Sequence, residues 1–177
     1  LGRDAEAIDA FNSALNLESN DEHTLYWKGI ALDKLGKHEE ALVCYDTVLK
    51  HNREAVNVYF QRGLALKKLN QKEEALVCFN RVLENDPKDA ETLWEKAHLL
   101  TELERWFEAS KCFEKLSKIE PKNADVWNNL GHTYAKLGNK DKAMHFVNKA
   151  LKVNPRHADA LAGKGGLLFS RGGLQQA

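Results

Sequence analysis

One nine-residue stretch recurs almost unchanged 34 positions further along the chain. ALVCYDTVL begins at Ala41, and ALVCFNRVL begins at Ala75. A fixed period of this length is typical of solenoid proteins, in which each unit buries the apolar face of its neighbour. This feature restricts the chain to folds built from stacked copies of one small unit.

The same offset of 34 residues sorts side chains by size along the whole sequence. One small-residue column holds Gly29, Gly63, Ala97, Gly131 and Gly165. A second small column holds Ala7, Ala41, Ala75, Ala109, Ala143 and Ala177. Four residues after it comes a column of mostly large residues, Phe11, Tyr45, Phe79, Phe113 and Val147. Small residues opposite large ones predict helices that interlock closely.

Two helices are predicted in each unit. Apolar residues follow the helical period of about 3.6 residues on both sides of a short break. The breaks contain Gly36, Asn70 or Gly138, which suit the left-handed end of a helix. The boundaries between units contain Pro87, Pro121 and Pro155, at a position where proline can open the next helix. The pattern therefore indicates an all-α fold.

The unit from Ala124 to His157 resembles a tetratricopeptide repeat. The characteristic positions are filled by Trp127, Leu130, Gly131, Tyr134, Ala143, Ala150 and Pro155. The resemblance extends over essentially all 177 residues. It implies a right-handed α-solenoid of antiparallel helix pairs, and it says little about function because this family serves many purposes.

We predict a single array over residues 1–177, with four full repeats between two partial ones. The full repeats span 22–55, 56–89, 90–123 and 124–157. Residues 1–21 form a partial repeat consisting of a second helix, and residues 158–177 form a first helix and the start of a second. Because repeat arrays usually end in a polar capping helix, these boundaries predict a fragment of a longer array and end-to-end self-association.

Charge and hydropathy disfavour several classes of partner. The chain has 26 lysine and arginine residues and 26 aspartate and glutamate residues, so its formal net charge is zero and nucleic acid is not expected to bind. No run of 18 apolar residues predicts a membrane span, and no leader is recognisable, so we expect no membrane partner and a cytoplasmic location.

Cysteine and histidine columns are the candidates for chemistry. Cys44, Cys78 and Cys112 share one position in successive units, where a distance of about 10 Å between equivalent helices exceeds the reach of a disulfide. A half-buried apolar position explains this column. His98 and His132 share another position but lack a third ligand, so no metal site is predicted. No catalytic motif is present, and we expect neither enzymatic activity nor a cofactor.

The resemblance implies a concave groove lined by the first helix of each unit. Its residues are Tyr26, Trp27, Ile30, Lys34, Phe60, Gln61, Leu64, Lys67, Lys68, Trp94, Glu95, His98, Asn128, Asn129, His132 and Lys136. Aromatic anchors early in this list favour a peptide or helix of a partner protein as the ligand. An alternative is that some of these rings pack within the repeats. The early lysines and later acids predict a polarised groove, and ordinary solvated faces are the alternative.

The resemblance also argues against two specialised ligands of the family. The lysine and asparagine clamp for a terminal carboxylate is absent from the first units, and Asn128, Asn129 and Lys136 are only a fragment of it. The asparagine ladder of sugar-transferase members is also incomplete. We therefore predict a non-catalytic protein-interaction scaffold. The alternatives are a regulatory or spacing arm of a larger enzyme or complex, and a self-assembling repeat segment.

Overall fold

The computed structural model describes residues 2–172. These residues form ten α-helices: α1 (Gly2–Leu17), α2 (Glu22–Lys34), α3 (His38–His51), α4 (Val56–Lys68), α5 (Lys72–Asn85), α6 (Ala90–Glu102), α7 (Trp106–Ile119), α8 (Ala124–Lys136), α9 (Lys140–Val153) and α10 (Ala158–Gly172). No strand occurs between residues 2 and 172. The predicted all-α fold of paired helices is confirmed.

The chain divides into two compact units, and the division falls between Pro87 and Lys88. Unit 1 contains α1 to α5, with the pairs α2–α3 and α4–α5. Unit 2 contains α6 to α10, with the pairs α6–α7 and α8–α9. The predicted start of another second helix, from residue 173 onward, lies outside the described residues.

Short polar side chains start several of these helices. Asp21 accepts a hydrogen bond from the Thr24 backbone N–H at 2.8 Å, and Asp89 accepts one from Thr92 at 2.7 Å. Each carboxylate thereby satisfies a backbone donor that has no partner inside the helix. Pro87 lies in the turn before α6 and not in the first turn of that helix. Pro121 and Pro155 likewise lie in the turns before α8 and α10, so the prolines separate consecutive repeats and do not open the following helix.

The turn inside each helix pair requires a left-handed residue. Gly36 has φ 77°, Asn70 has φ 60° and Gly138 has φ 78°, which confirms the sequence prediction at these positions. Glu104 occupies the equivalent position in the third pair with φ 56°. A glutamate pays a steric cost in this region that glycine avoids, so the α6–α7 turn carries local strain.

Small and large residues interlock as predicted in the α2–α3, α4–α5 and α8–α9 pairs. A Cβ atom added to Gly63 would lie 2.7 Å from Cε1 of Phe79, and one added to Gly131 would lie 2.7 Å from Cγ2 of Val147. Gly29 has the same relation to Tyr45, at an even closer approach. The first helix therefore contacts the second through its own backbone, which fixes the side chains on its opposite face.

The cysteine column lies in this core. Cys44, Cys78 and Cys112 are buried free thiols, so the column is more deeply enclosed than the half-buried position predicted from sequence. Burial is the main cause of the raised pKa of each thiol. These cysteines serve as small apolar residues between helices.

Candidate interaction surfaces

In unit 1, five of the predicted groove residues surround one open depression. It has a volume of about 260 Å³ and also includes Asp33, His38 and Ala65 in its lining. The predicted residues are Ile30, Lys34, Gln61, Leu64 and Lys68. They come from α2 and α4, the first helices of the two pairs. The small-residue contacts between α2 and α3 and between α4 and α5 hold these two helices in place.

A hydrogen-bonded cluster lies beside this depression. The Tyr45 hydroxyl donates to one carboxylate oxygen of Asp33 at 2.8 Å, and Nδ1 of His38 lies 2.9 Å from the other. Burial, together with the hydrogen bond to Asp33, raises the pKa of the Tyr45 phenol, so the hydroxyl stays protonated and continues to donate. Both oxygens of Asp33 are therefore engaged by the protein itself.

Tyr26 and Trp27 lie elsewhere on unit 1. Tyr26 is half-buried and lines a second depression with His23 and Asn57. The Trp27 ring is 45% exposed, and its Nε1–H donates to Nε2 of His23 at 3.0 Å. The Tyr26 and Trp27 rings meet edge to face with their centroids 5.4 Å apart. Trp27 is thus the predicted aromatic anchor with the most accessible ring.

Two other predicted anchors pack against the second helix of their own pair. The Phe60 ring lies 6.0 Å from the buried Phe79 ring. The Trp94 ring lies 6.3 Å from the buried Phe113 ring and 4.6 Å from His98. Trp94, His98, Phe60, Lys67 and Glu95 are all half-buried. Both rings therefore have a packing role inside their own helix pair, which is the alternative that the sequence left open for these anchors.

In unit 2, three predicted groove residues meet in another depression. Asn128, Asn129 and His132 from α8 line a space of about 220 Å³ that also borders α9 and α10. Asp159 is the acidic residue in this lining. Carboxamides can donate to and accept from a peptide backbone at the same time, so this surface suits an extended chain. Partial desolvation, followed by the charge of Lys136, lowers the pKa of His132.

Trp106 is the residue of this surface that sequence reasoning missed. It begins α7, and its ring lies 5.9 Å from His132, edge to face, and 5.5 Å from the Lys136 ammonium. His38 begins α3 at the equivalent position and lines the unit 1 depression. The two residues are 68 positions apart, which is two periods of 34, so the repeat register pairs them in the sequence. The resemblance assigned the groove to first helices alone, and for that reason Trp106 was overlooked.

The described part of the chain contains neither a cluster of metal-ligating side chains nor a helix that could span a membrane. Over residues 2–172, His, Cys, Asp and Glu side chains form no group of three that could hold a metal ion. None of the helices in that range has the length and apolar character needed to cross a bilayer.

Comparisons with known proteins place this architecture in a family. A family model described as Psidin, N-terminal TPR repeats region, matches residues 31–161. A search of curated proteins gives no match. Among solved structures, YrrB, described as a TPR protein with an unusual peptide-binding site, is 27% identical with a TM-score of 0.82, over 93% of this chain and 84% of that one.

Two further solved structures share the fold at lower identity. A tetratricopeptide repeat protein from Parabacteroides merdae is 22% identical with a TM-score of 0.81, covering 97% of this chain and 68% of that chain. MamA is 20% identical with a TM-score of 0.81, covering 89% and 86%. Since the family model covers well over half of the sequence, and the helix pairs have the geometry of this repeat, the chain belongs to the tetratricopeptide repeat family.

Proposed function

We propose that this protein is a non-catalytic scaffold that binds a peptide or a helix of a partner protein on the faces of its first helices. The main support is that groove residues predicted from the repeat pattern surround an open depression in each unit. YrrB, a relative of similar fold, is described as having a peptide-binding site. The non-catalytic role rests on the family, whose members generally act as scaffolds.

The groove assignment predicts which substitutions weaken binding. Peptides selected from a random library on the immobilised protein should lose about tenfold or more in affinity on Leu64→Glu in unit 1 or on Asn129→Ala in unit 2. Each change removes a contact at a lined surface, where hot-spot residues contribute more than about 1 kcal/mol. Val43→Glu is a matched control, because Val43 is 66% exposed on α3 and lies outside both depressions.

Isothermal titration calorimetry measures these affinities, and circular dichroism checks that each variant is folded. If the selected peptides bind both groove variants as tightly as the wild type, the ligand surface is elsewhere and the groove assignment fails. If the library yields no binder, peptide recognition itself loses its support.

Self-association is a second candidate property, favoured by α10. Leu161 is 50% exposed, Leu168 is 53% exposed and Phe169 is 86% exposed. Exposed apolar side chains on one helix are a typical contact surface for another helix. We propose that a second copy of the chain covers them. Light scattering should show a mass that falls on dilution, and Leu168→Lys with Phe169→Lys should abolish that dependence. A monomeric mass at every concentration would contradict this proposal.

We also propose that the protein works in the cytosol. Three free thiols at equivalent core positions are compatible with a reducing compartment. Fractionation of cells that express the protein would test this location, and recovery from a secreted or membrane fraction would contradict it.

A further inference from the structure

The unit 1 depression has an apolar base and a cationic rim. Ala65 is buried at its base, and Ile30 and Leu64 are half-buried beside it. Lys34 and Lys68 are exposed at its margin. Each lysine lies in the last turn of its helix, α2 or α4. A ligand entering here therefore meets aliphatic surface below and ammonium groups at the edge.

The charges available to a ligand are positive. The side-chain ammonium groups of Lys34 and Lys68 make no hydrogen bond or ion pair with any described residue. Asp33 is the acidic residue in the lining, and both of its carboxylate oxygens are engaged, one by the Tyr45 hydroxyl and one by the His38 ring. Two lysines and one aspartate give the lining a formal charge of +1 with His38 neutral.

The size of the depression limits what can occupy it. Its volume of about 260 Å³ is below the roughly 300–1,000 Å³ of pockets that enclose a whole small molecule. A space of this size, open to solvent, accommodates about one large side chain. Gln61 in the lining offers a carboxamide that can hydrogen-bond to the backbone on either side of that side chain.

We infer that this depression binds a segment of a partner protein in which a large aliphatic or aromatic residue has aspartate or glutamate neighbours. The apolar side chain covers Ile30, Leu64 and Ala65, and the acidic neighbours pair with Lys34 and Lys68. This inference rests on the proposed function and specifies the ligand of one of its two surfaces. A segment with basic neighbours would instead be repelled by the two ammonium groups.

The preference belongs to unit 1 alone. The unit 2 depression contains Asp159, and with His132 neutral its lining has a formal charge of −1. Asn128 and Asn129 there suit any extended backbone. The negative charge of the unit 2 depression therefore does not favour acidic peptides.

Selection from a random library of short peptides tests the inference directly. Peptides that compete with one another and lose binding on the uncharged substitution Leu64→Gln define the unit 1 ligands. Among them, acidic residues next to a large apolar residue should be enriched over the starting library. Fluorescence anisotropy should show binding about fivefold to tenfold weaker to Lys34→Glu/Lys68→Glu, as expected for two exposed ion pairs that are lost and turned repulsive. Raising the ionic strength should weaken wild-type binding in the same direction.

Lys115→Glu/Lys118→Glu is the matched control, because it changes the net charge equally at exposed sites on α7. It should bind the selected peptides within about twofold of wild type. Lys34→Gln/Lys68→Gln removes the charges without adding repulsion, and it should give an intermediate affinity. Circular dichroism confirms folding of all three variants.

The remaining outcomes separate the inference from the proposed function. Unit 1 peptides that are neutral or basic, or that bind Lys34→Glu/Lys68→Glu as well as wild type, would overturn the acidic preference and leave the scaffold function standing. If Lys34→Glu/Lys68→Glu and Lys115→Glu/Lys118→Glu lose the same affinity, the effect comes from net charge alone. That result would also overturn the acidic preference. A library that yields no binder at either surface would overturn both.

Discussion

Gly63→Ala should destabilise the protein because the added methyl group has no room. Its Cβ would lie 2.7 Å from Cε1 and 3.0 Å from Cδ1 of Phe79, and 3.2 Å from Cβ of Cys78. Carbon atoms in optimal contact are about 3.5–4.0 Å apart. The Phe79 ring is fully buried, and the Phe60 ring packs against it, so the ring cannot move aside freely.

Two opposing terms determine the magnitude. Inserting a methyl group into a close-packed core costs about 1–3 kcal/mol. Replacing glycine by alanine inside a helix recovers about 0.8–1.0 kcal/mol of helix propensity. Taking the middle of the first range, Gly63→Ala should lower the free energy of unfolding by about 1 kcal/mol.

Gly165→Ala is the matched control. Gly165 occupies the same position of the repeat in α10, but no described atom outside its own stretch of helix backbone lies within 4 Å of a Cβ added there. The propensity term acts alone at this site, so this variant should gain about 0.5–1 kcal/mol. The same substitution at equivalent positions of two repeats is therefore expected to have opposite signs.

Urea denaturation followed by circular dichroism measures the two variants against wild type. Since repeat proteins often unfold in more than one step, hydrogen exchange of the amides in α5 and α10 assigns each change to its own part of the chain. A Gly63→Ala protein as stable as wild type would show that the Phe79 ring yields at no cost. The explanation of the small-residue column by ring contact would then be refuted.

Three further substitutions test other parts of the structure. Glu104→Gly should raise the unfolding free energy by about 0.5–1 kcal/mol in urea denaturation, because glycine relieves the left-handed strain at φ 56°; a loss would contradict this. Tyr45→Phe should cost about 1 kcal/mol in the same assay by removing the hydrogen bond to Asp33, and a neutral result would show that water replaces it. Stability should fall as pH drops below about 6.5, because the lowered pKa of His132 makes the unfolded chain bind its proton first; His132→Gln should flatten this slope in urea midpoints measured across pH, and parallel profiles would contradict it.

Periodicity predicted the helix pairs because the fold depends on a few residue sizes repeated at fixed spacing. Gly36, Asn70 and Gly138 could be identified as left-handed positions, since glycine and asparagine tolerate that conformation. Glu104 could not be identified from its own chemistry, because glutamate has no preference for positive φ. Only its register, 34 residues from Asn70 and from Gly138, marks the position.

The candidate surfaces were harder to predict than the helices. Repeat register placed Ile30 and Leu64 on the first-helix faces, where the structure has them at one depression. Repeat register could not determine the side-chain orientation of the large aromatic residues. Phe60 and Trp94 rotate toward the phenylalanines of their second helices, a choice that depends on the shape of the space between two helices and not on either sequence position alone.

The residue that begins a second helix also contributes to the groove, although the resemblance assigned the groove to first helices alone. His38 lines the unit 1 depression, and Trp106 contacts His132 and Lys136 of the following helix. Lys140, at the same position, reaches the backbone oxygen of Ser170 on α10 at 3.4 Å. In all three cases the residue follows the short turn after a first helix. This position brings its side chain within reach of the first helix of the following repeat. Specificity in this chain should therefore depend on this position as well as on the first-helix residues, and exchanging His38 and Trp106 is expected to change ligand preference while the helix pairs remain intact.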